Sequence, residues 1–188
     1  GDVTNAYLLV KQAWLRQPRS PAVLRQFIRL NLMLGRYAQA VPLFASVREL
    51  SPVCRDLPFL LSYQLALQSA GKFAEAWKLL EEMRAQFPRE PEVFLARGYL
   101  HQMQSDFPAM LADYEAAAAL RASDPELRYR LAQSLLMVSG FGDGFDAYAE
   151  RRVVYTSRRI PLQPEIPLWR GESLHGKTLL ILGEQGIG

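Results

Sequence analysis

Residues able to do chemistry are few and scattered in this sequence. His101 and His175 are isolated, with no second ligand or nucleophile paired with either. Glu81, Glu82 and Glu90 read as carboxylates on solvated helix surface. They do not form an acid and base pair, which must be held on either side of a reacting bond. Cys54 is the only cysteine. An intrachain disulfide is therefore excluded, as is any metal site built from several thiolates, and a reducing, cytoplasmic setting is the expectation. Cys54, next to Pro52, reads as a packing residue. No catalytic residue, metal site or cofactor is expected within the chain. Two features remain. One is the glycine-rich run Gly183-Glu184-Gln185-Gly186-Ile187-Gly188, whose backbone N–H groups suit a phosphate or sugar when a strand precedes them and a helix follows. The other is an uneven distribution of arginine. Residues 1–150 hold equal numbers of cationic and anionic side chains. The excess behind the net charge of +3 lies in Arg151, Arg152, Arg158, Arg159, Arg170 and Lys177 against Glu165, Glu172 and Glu184. A neutral body lacks the basic stripe of a nucleic-acid surface, so no nucleic-acid partner is expected. The 151–159 cluster reads as a solvated helix end.

The elements that would position any site repeat along the chain. Gly71-Lys72-Phe73 reads as a turn into a helix on which Phe73, Ala76, Trp77 and Leu80 share one face. The same device occurs at Gly35-Arg36-Tyr37 with Ala40 and Phe44, at Ser105-Asp106-Phe107 with Met110 and Tyr114, and at Ser139-Gly140-Phe141 with Gly144 and Tyr148. The aromatics Tyr37, Phe73, Phe107 and Phe141 are 36, 34 and 34 residues apart, a period that marks a repeat array. The extra pair Arg55-Asp56 accounts for the longer interval. Helix pairs are expected at 21–34 with 37–50, 57–70 with 73–87, 91–104 with 107–120, and 125–138 with 141–153. A single helix at 3–16 precedes them, with Ala6, Val10 and Ala13 on one face and Trp14 beside it. By phase it is a second helix without its first, and its open face invites self-association. Pro42 predicts a kink or a late helix start, whereas Pro21 and Pro108 sit where a first turn tolerates proline.

Period, turn and residue types together resemble the tetratricopeptide repeat, over about residues 1–153. In that family a small residue in the second helix is followed four later by a large one, and a proline closes the unit. Here Pro18, Pro52 and Pro88 close units, Ala122 replaces the fourth proline, and Met110 is large where a small residue is usual. The resemblance implies an all-α fold: a right-handed superhelix of antiparallel helix pairs, about four and a half repeats, whose first helices line a concave groove. It also implies a peptide or protein as partner. The groove residues would be Arg25, Arg29 and Met33, then Leu61, Leu65 and Gln68, then Leu95, Tyr99 and Met103, then Tyr129, Gln133 and Met137. Tyr and Arg favour binding hot spots, and Met gives an adaptable surface. Arg25 and Arg29 offer charge, but the asparagines of repeats that clamp a chain terminus are absent. So is the asparagine ladder of repeats attached to O-GlcNAc transferases, whose places hold Gln26, Ser62, Ala96 and Arg130.

Beyond the array, Pro161, Pro164, Pro167, Gly171 and Gly176 predict an extended linker over 154–176. Lys177-Thr178-Leu179-Leu180-Ile181-Leu182 then reads as a buried strand. The run from Leu168 to Gly188 resembles the junction into a glycosyltransferase-like domain of bacterial tetratricopeptide proteins. The resemblance implies that residues 177–188 open such a domain, with Gly183, Gln185, Gly186 and Gly188 as its phosphate or sugar loop. One strand makes no sheet, so the chain itself is expected to be non-enzymatic. With 49% hydrophobic and 22% charged residues, the composition is that of a globular protein. No apolar run approaches the roughly 18 residues that span a bilayer, and Gly1-Asp2-Val3 does not look like a signal peptide. No membrane partner is expected.

Overall fold

A computed structural model describes residues 3–50, 56–138, 141–148, 169 and 171–180. Among them are nine α-helices and no strand. The helices are α1 (Val3–Arg16), α2 (Pro21–Met33), α3 (Tyr37–Leu50), α4 (Leu57–Ser69), α5 (Phe73–Gln86), α6 (Pro91–Met103), α7 (Phe107–Leu120), α8 (Pro125–Met137) and α9 (Phe141–Tyr148). The order matches the pairs expected from the repeat, and the bounds of α1 to α8 agree with them to within one residue; residues 149–153, expected in α9, lie outside the described residues.

Local signals account for the boundaries. Proline occupies the first turn of α2, α4, α6, α7 and α8, where its missing N–H costs nothing. Three starts are also capped by aspartate, which satisfies otherwise orphaned donors. Asp56 accepts from the Phe59 N–H at 2.9 Å, Asp106 from the Ala109 N–H at 3.3 Å, and Asp124 from the Glu126 N–H at 2.9 Å. The turns within the first three helix pairs share one hydrogen-bond pattern. Arg36 N–H donates to Asn31 O at 2.8 Å and Gly35 N–H to Leu32 O at 3.0 Å, while Lys72 and Gly71 repeat this onto Leu67 and Gln68. This cap needs a left-handed residue. Gly35 and Gly71 supply it at φ +67° and +74°.

Each helix packs on the next, and α4 also touches α6. The small residues expected at the crossings are where they should be: Ala40 and Ala76 are fully buried, as is the larger Met110. In the α6–α7 pair the space comes from the other helix. A Cβ on Gly98 would lie 2.5 Å from Cε1 of Tyr114, so the bare glycine makes room for that ring. Phe44 joins the first and second pairs, with its ring 5.0 Å from those of both Phe59 and Tyr63.

Two expectations need correction, the late start of α3 and the strand from Lys177. α3 is continuous from Tyr37 through Pro42, so no late start occurs. The flanking Ala40, Val41, Leu43 and Phe44 are all buried, and their packing outweighs the one hydrogen bond that Pro42 removes. On α1, Tyr7 joins Val10 and Trp14 against the core. Its ring lies 5.3 Å from that of Phe27 and 4.4 Å beneath the Arg36 guanidinium. No residue of α1 is fully buried, and Leu8, Leu9 and Leu15 are exposed. Lys177 to Leu180, expected in a buried strand, are exposed and without regular structure. No other strand exists among the described residues to supply a ladder. Ile181 and Leu182 lie outside the described residues, as do Cys54, Pro52, most of the linker, the 151–159 arginines, and Gly183, Gln185, Gly186 and Gly188.

Candidate functional site

The first helices α2, α4, α6 and α8 carry the side chains expected to meet a partner. Equivalent positions in the four helices are Arg25, Leu61, Leu95 and Tyr129; Arg29, Leu65, Tyr99 and Gln133; and Met33, Ser69, Met103 and Met137. Met33, Leu65, Tyr99, Met103 and Met137 are 43–59% exposed, a high value for large apolar side chains. Arg25, Arg29 and Gln133 are exposed beside them. The helices thus present an apolar row with arginine at one end.

Two expected members are not on this surface. Gln68 is only 4% exposed. It accepts a 2.8 Å hydrogen bond from Gln64 Nε2 inside the repeat. At about 100° per residue, Gln68 falls roughly 20° to the core side of Leu61, whereas Ser69 falls on the open side. The in-phase residue is therefore Ser69. Tyr129 is only 8% exposed, with its ring 5.6 Å from that of Tyr148 on α9. Its equivalents Leu61 and Leu95 are half-buried and Arg25 is open.

A pocket of about 390 Å³ opens between α2 and α4. Ile28, Leu32, Phe44 and Phe59 form its apolar base, and Arg29 and Met33 stand at its edge. Arg25 and Asp56 border it too. They form a 3.2 Å ion pair, and the Arg25 guanidinium lies 5.9 Å over the Phe59 ring. Asp56 thus caps α4 with one carboxylate oxygen and holds Arg25 with the other. Arg29 has no carboxylate or hydrogen-bond partner among the described residues.

A second polar cluster, not foreseen in the sequence, joins α5, α6 and α7. Asp113 on α7 is nearly buried; Arg97 Nη1 approaches its carboxylate at 3.5 Å and His101 Nε2 at 3.6 Å. His101 Nδ1 also lies 3.4 Å from Asp106. The Trp77 ring lies 4.5 Å from that of His101, and Trp77 Nε1 donates to Gln104 Oε1 at 3.0 Å. Burial pushes the Asp113 carboxyl above its ordinary range, against the opposing pull of Arg97 and then His101. Charges from adjacent helices neutralise one another here, and the cluster works as polar packing. His101, read in the sequence as isolated, is therefore a packing residue. No group of histidine, cysteine and carboxylates suited to a metal ion occurs among the described residues, and no described helix is long and apolar enough to cross a membrane.

No family model matches the chain. A curated relative, Protein FlbA of Caulobacter vibrioides, is 29% identical over 125 residues, a match covering 65% of this chain and 21% of that protein. The chain thus spans about a fifth of the relative's length. Among solved structures, a MamA fragment from Desulfovibrio magneticus RS-1 superposes with a TM-score of 0.62 at 16% identity, covering 85% of this chain and 99% of that one. TTC0263, described as a thermophilic TPR protein of Thermus thermophilus, gives a TM-score of 0.59 at 22% identity, over 78% of this chain and 80% of that one. YrrB, described as a TPR protein with an unusual peptide-binding site, gives 0.60 at 8% identity, over 84% and 80%. At such identities the likeness speaks for the fold alone: the chain has the all-α tetratricopeptide-repeat architecture that its period and helix pairs indicate.

Proposed function

We propose that this chain is a non-enzymatic binding module that holds a peptide or protein partner along the groove of its first helices. The observation behind this reading is the aligned row of half-exposed Met33, Leu65, Tyr99, Met103 and Met137. Aligned apolar exposure of this kind marks an interaction surface, and adaptable Met beside rigid Tyr is the chemistry of peptide contact. The description of YrrB as peptide-binding adds support from the same architecture. The neutral repeat region speaks for protein over nucleic acid. The test is a peptide-display selection on the intact chain, followed by affinity measurements on a Leu65→Ala, Tyr99→Ala, Met103→Ala variant. Recovered peptides are expected to bind this variant about tenfold more weakly or worse. A selection that recovers nothing, or peptides indifferent to the triple change, would remove the groove from consideration.

A second reading places the module in a longer protein, as the acceptor-recruiting arm of a nucleotide-sugar-dependent glycosyltransferase. It rests on the motif from Leu168 to Gly188, and the relative's greater length is compatible with it. A thermal-shift series with nucleotide diphosphates and their sugars, on this chain and on a version extended past Gly188, checks it. Stabilisation of the extended version alone is expected; no shift in either reduces the glycine run to a turn.

A further inference from the structure

We infer that the pocket between α2 and α4 recognises an acidic-hydrophobic motif: a bulky apolar side chain laid against Leu32, Met33 and Pro58 over the Phe59 ring, next to an Asp or Glu side chain held by Arg29. The inference rests on the groove reading above and assigns its N-terminal end a specific ligand chemistry.

The pocket's size and base settle the apolar half. About 390 Å³ is enough for one large side chain, and falls within the usual range for ligand pockets. Ile28, Phe44 and Phe59 beneath it are each at most 9% exposed, so the floor is packed and already in place, and the apolar surface open to a guest is that of Leu32, Met33 and Pro58. A guest would bury apolar surface without the protein having to reorganise.

Charge settles the other half. Two guanidinium groups border the pocket, and they are not equivalent. Arg25 is neutralised by Asp56 at 3.2 Å and lies over the Phe59 ring, so it forms part of the wall. Arg29, one turn on, is exposed, with no carboxylate partner among the described residues. Arg130, on the fourth first helix, is paired with Glu126 at 3.2 Å. Arg97 faces Asp113 and Glu81. A single uncompensated guanidinium beside an apolar cavity matches one carboxylate adjacent to one apolar residue. A phosphate group would call for a cluster of arginines. A chain terminus would gain from more donors than one arginine offers. A side-chain carboxylate in an extended internal segment of a partner protein is the best match, and the rest of that segment would run over Leu65 and Tyr99.

The experiment uses the intact chain and four fluorescent peptides, read by polarisation. The first is amide-capped and places Phe between two Asp residues in a Ser/Gly background. The second replaces both Asp by Lys, the third replaces Phe by Ala, and the fourth keeps Phe but carries only a free C-terminal carboxylate. The first is expected to bind at least about tenfold more tightly than the others, with affinity falling as salt rises. Arg29→Glu should weaken it by a similar factor, and Arg29→Lys by less. Ser62→Phe, which fills the pocket from its edge, should abolish binding. Arg29 is exposed, so unchanged melting curves for its variants show that the effect is local. Equal binding of the acidic and basic peptides would overturn the inference. So would exclusive binding of the free-terminus peptide, or indifference to Arg29→Glu. If display-selected peptides depend on Tyr99 while the acidic peptide does not bind, the groove reading stands and this inference falls. If neither binds, both fall.

Discussion

Ser105 holds φ at +60°, in the turn where Gly35 and Gly71 hold +67° and +74°. Its backbone bonds are those of the other two turns: Asp106 N–H to His101 O at 3.0 Å and Ser105 N–H to Gln102 O at 3.0 Å. The turn geometry is therefore imposed by the repeat, and serine adopts it at a steric cost of about 1 kcal/mol. Ser105→Gly removes that strain and is expected to raise unfolding free energy by roughly 0.5–1 kcal/mol, net of the extra freedom of the unfolded chain. Chemical denaturation checks this; an unchanged or lower midpoint would mean the serine is held at no cost. The residue scale is also where the sequence misled most. Leu61, Leu65 and Gln68 have sound helical spacing, yet Gln68 sits on the inner edge of the stripe and pairs with Gln64. Asn31 shows the same preference for the interior: it is 1% exposed, and its Nδ2 donates to Phe27 O at 2.8 Å. For Gln68 the spacing and polar type suggested an open position that the folded array buries.

At the scale of the element, the pair crossings decide stability. Ala76 lies on the α5 face packed within its repeat and is fully buried. Ala76→Trp would force a large ring into close-packed surroundings, so we expect a loss of about 1–3 kcal/mol or more. A wild-type melting curve for this variant would contradict the packing described here. The α6–α7 pair reaches the same closeness by another route, with Gly98 ceding space to Tyr114. The large Met110 looked like a departure from the repeat pattern. It is nonetheless fully buried, one turn before the Tyr114 ring that Gly98 on the partner helix admits. One-dimensional pattern reading does not see such an arrangement, since it depends on which side chains meet across the crossing.

At the scale of the whole molecule, helices pack chiefly on their neighbours, so stability is expected to be graded along the array. α1 has no fully buried residue, whereas α5 contributes Ala76, Leu80 and Met83, all fully buried. Amide hydrogen exchange is expected to be faster by at least about tenfold in α1 than in α5, because opening α1 exposes little core. Equal protection of the two helices would show a single cooperative unit. The sequence by itself determined the helix pairs, their phase and their turns. In a repeat array, tertiary contacts are made between segments close in the chain, so a 34-residue period written in the residues also encodes the packing. Tertiary structure alone decided which edge of each stripe stays open. Its side chains come from three helices, so it also decided the pocket formed by Ile28, Phe44 and Phe59. It alone set Arg29 apart from Arg25 as well. Asp56 lies 31 residues from Arg25 in sequence, and only the stacking of α4 on α2 and α3 brings its carboxylate to one guanidinium and leaves the other open.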